Sequence, residues 1–130
     1  MRWLVGIFFI MHGLGHTMGF LASWTGVDVG FSDDPWIFPG DIHIRSPIGK
    51  AYGMLWLVAL FGWTVTGLGV LDGAEWWPAL AKGSAVVSLT AIVPWWRTVP
   101  MGAWLGALAD VVVFVGLLTM SGAEAVDRLA

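Results

Sequence analysis

Two histidines and one aspartate are the side chains of this sequence best placed to do chemistry. His12 and His16 lie four residues apart in Met11-His12-Gly13-Leu14-Gly15-His16, so a helix carries both on one face. Asp110 is flanked on each side by nine or ten apolar or small residues. Imidazoles at i and i+4 can bind one metal ion. Two histidines with one carboxylate leave open coordination positions suited to Zn or Fe. Both histidines cannot be axial ligands of one haem, because they approach from the same side. The alternatives are a proton relay, or hydrogen bonds from each imidazole to a carbonyl, hydroxyl or carboxylate on a neighbouring helix.

The elements that must position these groups are apolar. Trp3 to Trp24 holds no Asp, Glu, Lys or Arg over 22 residues, which as a helix rises roughly 33 Å and can cross a bilayer core. Hydrophobic residues make up 58% of the 130-residue chain and charged residues 12%. That is about half the charge of a soluble domain and signals one integral membrane domain. The ten tryptophans fit the same reading, since Trp concentrates at the membrane–water boundary. A net charge of −3 offers no basic face for nucleic acid. With no cysteine, disulfides, thiolate metal sites and cysteine nucleophiles are excluded. Arg2 and the run after it resemble a signal peptide, but the run is too long and Leu21-Ala22-Ser23 is a poor cleavage site, so a retained helix is expected.

Four spans are predicted, at about 3–24, 50–71, 79–96 and 101–120. Pro94 should kink or end the third. The connections Asp72 to Glu75 and Arg97 to Pro100 are short, which sets consecutive helices antiparallel. The expected fold is all-α: an integral membrane four-helix up-down-up-down bundle, with residues 1–130 as a single transmembrane domain and an ordered first loop. That acidic loop, 25–47, carries Asp28, Asp33, Asp34 and Asp41 against Arg45 alone, and three prolines forbid a continuous helix. Its apolar Trp36, Ile37, Phe38, Ile42 and Ile44 suggest that it folds back over the bundle, as a lid or a spacer. In Asp41-Ile42-His43-Ile44-Arg45, alternation puts His43 and Arg45 on one side, as lid residues or a solvated edge. The tail, Glu124 to Ala130, reads as polar and frayed.

Helical faces place the polar groups inside. His12, Gly15, His16 and Gly19 share a sector, and Gly15-x-x-x-Gly19 should let a neighbouring backbone approach. Asp110 shares a face with Ala103, Gly106 and Ala107, which points it inward. Depth counting puts His12, His16 and Asp110 near the midplane, where the first and last helices of an antiparallel bundle touch. Tyr52, Trp56 and Trp63 on the second span and Ser88 on the third would line an aromatic interior with scattered hydroxyls, fit for a flat or cationic molecule or a lipid tail. The alternative is ordinary aromatic packing. The methionines read as packing, and no nucleophile-elbow, Walker or dinucleotide signature is present.

In order along the chain, His12-Gly13-Leu14-Gly15-His16-Thr17-Met18-Gly19-Phe20, Ser46-Pro47-Ile48-Gly49 leading to Leu55-Trp56-Leu57, Trp76-Trp77-Pro78-Ala79-Leu80, Ser88 and Trp95-Trp96 resemble a family of short, uncharacterised bacterial membrane proteins with an HGxxH-like first helix. Gly15 before His16 and Arg97 after the tryptophans depart from that pattern. The resemblance implies a four-helix membrane fold and carries no activity. The architecture is also loosely similar to DoxX-like proteins, by analogy of shape.

The function expected from these residues is membrane-embedded binding or transport, with His12, His16 and Asp110 handling a proton, a metal ion or a small amphipathic molecule. A small metalloenzyme or redox subunit with Zn or Fe on those residues is one alternative, and a structural or accessory subunit is another; the balance leans away from an enzyme. The expected partners are the lipid bilayer and a second copy of the chain, through Gly102-x-x-x-Gly106. The expected location is the bacterial cytoplasmic membrane. Basic residues split evenly, with Arg2, Lys82 and Arg128 at one end and Arg45, Lys50 and Arg97 at the other, so an inside N-terminus is only a weak preference.

Overall fold

The structure, a computed structural model, describes residues 1–129. Among them all regular structure is helical. The helices are α1 (Arg2–Gly15), α2 (Thr17–Trp24), α3 (Pro47–Asp72), α4 (Trp77–Ile92), α5 (Met101–Leu118) and α6 (Gly122–Asp127), with a 3₁₀ turn, Val93–Trp95, extending α4. Three stretches are long and apolar enough to cross a membrane: Arg2–Trp24, Pro47–Asp72 and Met101–Leu118. The third predicted span is shorter than expected, because Pro94 ends the α-helix and tightens the chain into the 3₁₀ turn. Much of α4 is enclosed instead: Ala81, Ser84, Ala85, Ser88, Ala91 and Ile92 are all buried.

Local chemistry sets the ends. Ser46 caps α3, its hydroxyl accepting from the Gly49 N–H at 3.2 Å, and Pro47 opens the helix with a φ already suited to it. At the other end Gly73 adopts φ 74°, and the Ala74 N–H returns to the Gly69 carbonyl at 2.9 Å. That closure needs a left-handed residue, which glycine supplies without strain. The tail differs from the frayed segment expected. Ser121 and Glu124 form a reciprocal capping box that starts α6, and Ala125 is buried against the rest of the fold. Ala130 lies outside the described residues.

α1 and α2 pack on α3, α3 on α4, and α4 on α5. The close approach of α1 to α3 runs through Gly6 and Gly13. A Cβ on Gly13 would lie 2.9 Å from the Leu60 carbonyl oxygen, and one on Gly67 would lie 2.6 Å from that of Gly6. Gly19 faces the Trp56 ring, whereas Gly15 has no neighbour within 4 Å of its would-be Cβ. Of the expected Gly15–Gly19 pair, only Gly19 makes the close approach; a turn at His16 lies between the two.

Two apolar clusters form the core. One holds Phe9, Trp63, Ala85 and Leu117; the other holds Ile44, Trp56, Ala91, Trp95 and Ala107. On α4 the boundary between them falls at Ser88, and on α5 at Asp110. The first loop folds back as expected. The Ser32 N–H donates to the Thr98 carbonyl at 2.9 Å and the Ile37 N–H to the Pro94 carbonyl at 3.0 Å, while Ile44 is buried beneath.

Candidate functional site

Four side chains, from three helices and the turn after the first of them, meet between the two clusters. α1 brings His12, the turn after it His16, α4 Ser88 and α5 Asp110. Asp110 and Ser88 are fully buried and His16 is 3% exposed. The His12 Nε2–H donates to Asp110 Oδ1 at 2.7 Å. His16 Nε2 lies 2.6 Å from Ser88 Oγ, and the Ser88 hydroxyl is also hydrogen-bonded to Asp110 Oδ2. The order is therefore His12–Asp110–Ser88–His16, a continuous hydrogen-bonded chain.

The break in the first span fixes one end of it. The His16 backbone N–H bonds to the Gly13 carbonyl at 2.9 Å, in a tight three-residue return. The His12 carbonyl is taken by His16's own ring, from Nδ1 at 2.9 Å. A carbonyl can only accept, so Nδ1 carries the hydrogen and Nε2 is the nitrogen turned toward Ser88.

Counting hydrogens shows what this chain requires. The Ser88 hydroxyl has one hydrogen, yet it takes part in two hydrogen bonds, to His16 Nε2 and to Asp110 Oδ2. Neither bare Nε2 nor a carboxylate oxygen can donate. One more proton must reside in the chain, either on His16, which then donates to Ser88 Oγ, or on Asp110, which then donates to the same oxygen. In the first state an imidazolium faces a carboxylate; in the second both groups are neutral. The cluster's total charge is zero in both, which suits side chains buried away from bulk water. The two states interconvert by concerted shifts through one hydroxyl.

Aromatic rings close the surroundings. Trp63 meets the His12 ring edge-on at 5.0 Å, Phe8 stacks on it at 5.9 Å, and Trp56 packs against His16 at 5.5 Å. Beside the chain lies a cavity of about 330 Å³ between the first span and α5. His12, His16, Phe31, Trp56, Ile92 and Ala103 form most of its wall, and no Asp, Glu, Lys or Arg contributes. Gly102 and Gly106 also border it, and a Cβ on Gly106 would sit 3.2 Å from His12 Cε1. Gly106 thus turns toward His12, whereas Gly102 is exposed and has nothing within 4 Å of a would-be Cβ.

The three residues singled out for their chemistry converge. His12, His16 and Asp110 offer ligand atoms within 4.8 Å of one another, a spacing that one metal ion could bridge. Of the expected lining residues, Trp56 borders the cavity and Ser88 belongs to the polar chain. Trp63 backs His12 from the other side, and Tyr52 packs on Trp95 at 5.7 Å beneath the loop. Val29 and Phe31 supply the loop's part of the wall. His43 and Arg45 lie elsewhere: the His43 Nδ1–H donates to the Asp33 carbonyl at 3.0 Å, its Nε2 is 2.9 Å from Asp41, and Arg45 borders a separate hollow with Asp28 and Asp33. The bridging role of Ser88 was hidden in the sequence, where its only signal was one of the scattered hydroxyls expected along an aromatic interior. No known protein family, curated protein or solved structure matches this chain.

Proposed function

We propose that this is a multi-pass integral membrane protein that binds and relays a proton through His12, Asp110, Ser88 and His16. Four antiparallel spans carry it: α1 with α2, α3, α4 with its 3₁₀ extension, and α5. Exposed tryptophans at both ends support that placement, with Trp3 and Trp76 at one boundary and Trp24, Trp96 and Trp104 at the other. The acidic first loop then lies on the side opposite the N-terminus. The observation that carries the reading is the hydrogen count at Ser88 Oγ: the chain closes only with one extra proton, for which His16 and Asp110 are alternative carriers.

The test is proton flux into sealed liposomes under an imposed potential. Wild type is expected to acidify the lumen faster than Asp110→Asn or Ser88→Ala, with all three reconstituted at equal density. Equal rates for wild type and Asp110→Asn would overturn the reading.

A second reading rests on the mutual approach of the three ligand atoms: a Zn or Fe ion on His12, His16 and Asp110. Such an ion would displace the hydrogen bonds that now join these groups. Elemental analysis of detergent-purified wild type beside His12→Ala/His16→Ala separates the two. Stoichiometric metal lost in the double variant favours the metal centre; none in wild type favours the proton.

A further inference from the structure

One atom of the polar chain is left over. His12 gives its Nε2–H to Asp110, so in the neutral ring Nδ1 is a bare acceptor. Among the described residues no group donates to it. The ring forms part of the cavity wall, on the side where α5 carries no Cβ, at Gly106. A carboxylate that orients one imidazole nitrogen while the other faces a cavity is the arrangement of a base held ready for a ligand.

The cavity defines that ligand. Its wall is dominated by Met18, Phe31, Trp56, Ile92 and Ala103, so the body of the ligand is apolar and ring-shaped rather than a bare ion. No charged side chain lies in the wall, and both Asp110 oxygens are already occupied. A charged ligand would therefore enter without an opposite charge beside it, which is costly away from bulk water. A neutral ligand with a donor O–H satisfies Nδ1.

We infer that the cavity between the first span and α5 binds a small hydrophobic phenol, whose O–H donates to His12 Nδ1. The inference builds on the proposed relay, because the bound hydroxyl becomes the relay's contact with the membrane phase. About 330 Å³, roughly twice the ~150 Å³ of a cavity that holds benzene, has room for a substituted aromatic ring. The ligand reaches it laterally, since α1 and α5 meet through side chains rather than by extended backbone packing.

The experiment is calorimetry on the full chain in lipid nanodiscs, with empty nanodiscs subtracting simple partitioning. The probes are 4-propylphenol and its methyl ether, 4-propylanisole, which has the same body and no donor. Wild type is expected to bind one phenol per chain, with the ether at least about ten-fold weaker. In His12→Phe, which keeps a ring but loses the acceptor, phenol and ether should bind alike. Ala103→Leu, which fills the cavity without touching the polar chain, should abolish saturable binding of both. Equal binding of phenol and ether to wild type, or unchanged phenol binding in Ala103→Leu, overturns the assignment. Failure here with proton flux still lost in Asp110→Asn leaves the relay standing. Phenol selectivity without flux upholds the ligand site and removes the relay.

Discussion

His16 turns its ring back onto the carbonyl of His12, Nδ1 to oxygen at 2.9 Å, one helical turn earlier in the chain. This contact replaces the backbone hydrogen bond that a regular helix would make there, and the His16 N–H reaches Gly13 instead. It locks the tautomer of His16 and so decides which nitrogen meets Ser88. Two residues four apart thereby play different parts. His12 reaches across to α5 and borders the cavity, while His16 ends a buried hydrogen-bonded chain.

Removing the bridge should be felt as stability as well as flux. Ser88→Ala leaves His16 Nε2 and Asp110 Oδ2 facing each other without the hydroxyl. A loss of about 1–2 kcal/mol is expected. Steric refolding or SDS titration of the reconstituted protein measures it, and a variant as stable as wild type would show that the Ser88 contacts contribute nothing.

Asp110→Leu and Asp110→Asn should separate structure from proton handling. Leucine strands the His12 Nε2–H in an apolar layer and removes the Ser88 hydroxyl's second partner, and is expected to lower stability by about 3 kcal/mol or more. Asparagine keeps the shape and one acceptor, so its fold should survive with about 1 kcal/mol lost. Unfolding of both by the same assay shows the difference. If asparagine is as damaging as leucine, charge rather than hydrogen bonding holds the cluster together.

The α1–α3 contact makes a prediction about two glycines close in sequence. Gly13→Ala must push α1 away from the Leu60 carbonyl and the Thr64 backbone, at a cost of about 1–3 kcal/mol. Gly15→Ala meets nothing within 4 Å and gains helix propensity, so it should be neutral or stabilising by up to about 1 kcal/mol. Melting temperatures of the two variants in one detergent decide it; equal effects would remove Gly13 from the helix contact.

The first loop should loosen as pH rises. Bonding to the Asp33 carbonyl, and next to it the Asp41 carboxylate, raises the pKa of His43 above its ordinary value of 6.5. A group raised in the folded state stabilises it fully below the unfolded pKa and loses that contribution as pH passes the folded value. Hydrogen exchange across residues 33–43 should therefore be slower below the ordinary value of 6.5 than intrinsic rates predict, with protection falling as pH rises above it. His43→Gln should flatten that dependence. Protection that is constant with pH in wild type would mean that His43 does not tether the loop.

Much of the site was legible in the sequence. His12, His16 and Asp110 interrupt apolar runs, and an ionisable group there must face a partner, so their depth along each run was enough to bring them together. The all-helical class followed from the same runs, through length and hydropathy alone. The α6 cap was also written in Ser121 and Glu124, although its apolar residues were too few to signal that the tail docks. What the sequence withheld depends on contacts between distant elements. Counting by fours paired Gly15 with Gly19, yet only Gly19 meets α3, at Trp56. Phe31 reaches the cavity because the loop is pinned to Thr98 and Pro94, which no local pattern specifies. Ser88 is one small hydroxyl among several on α4. Only packing against both α5 and the first span puts its single hydrogen between two acceptors, and that shortage of one hydrogen is a property of the tertiary structure alone.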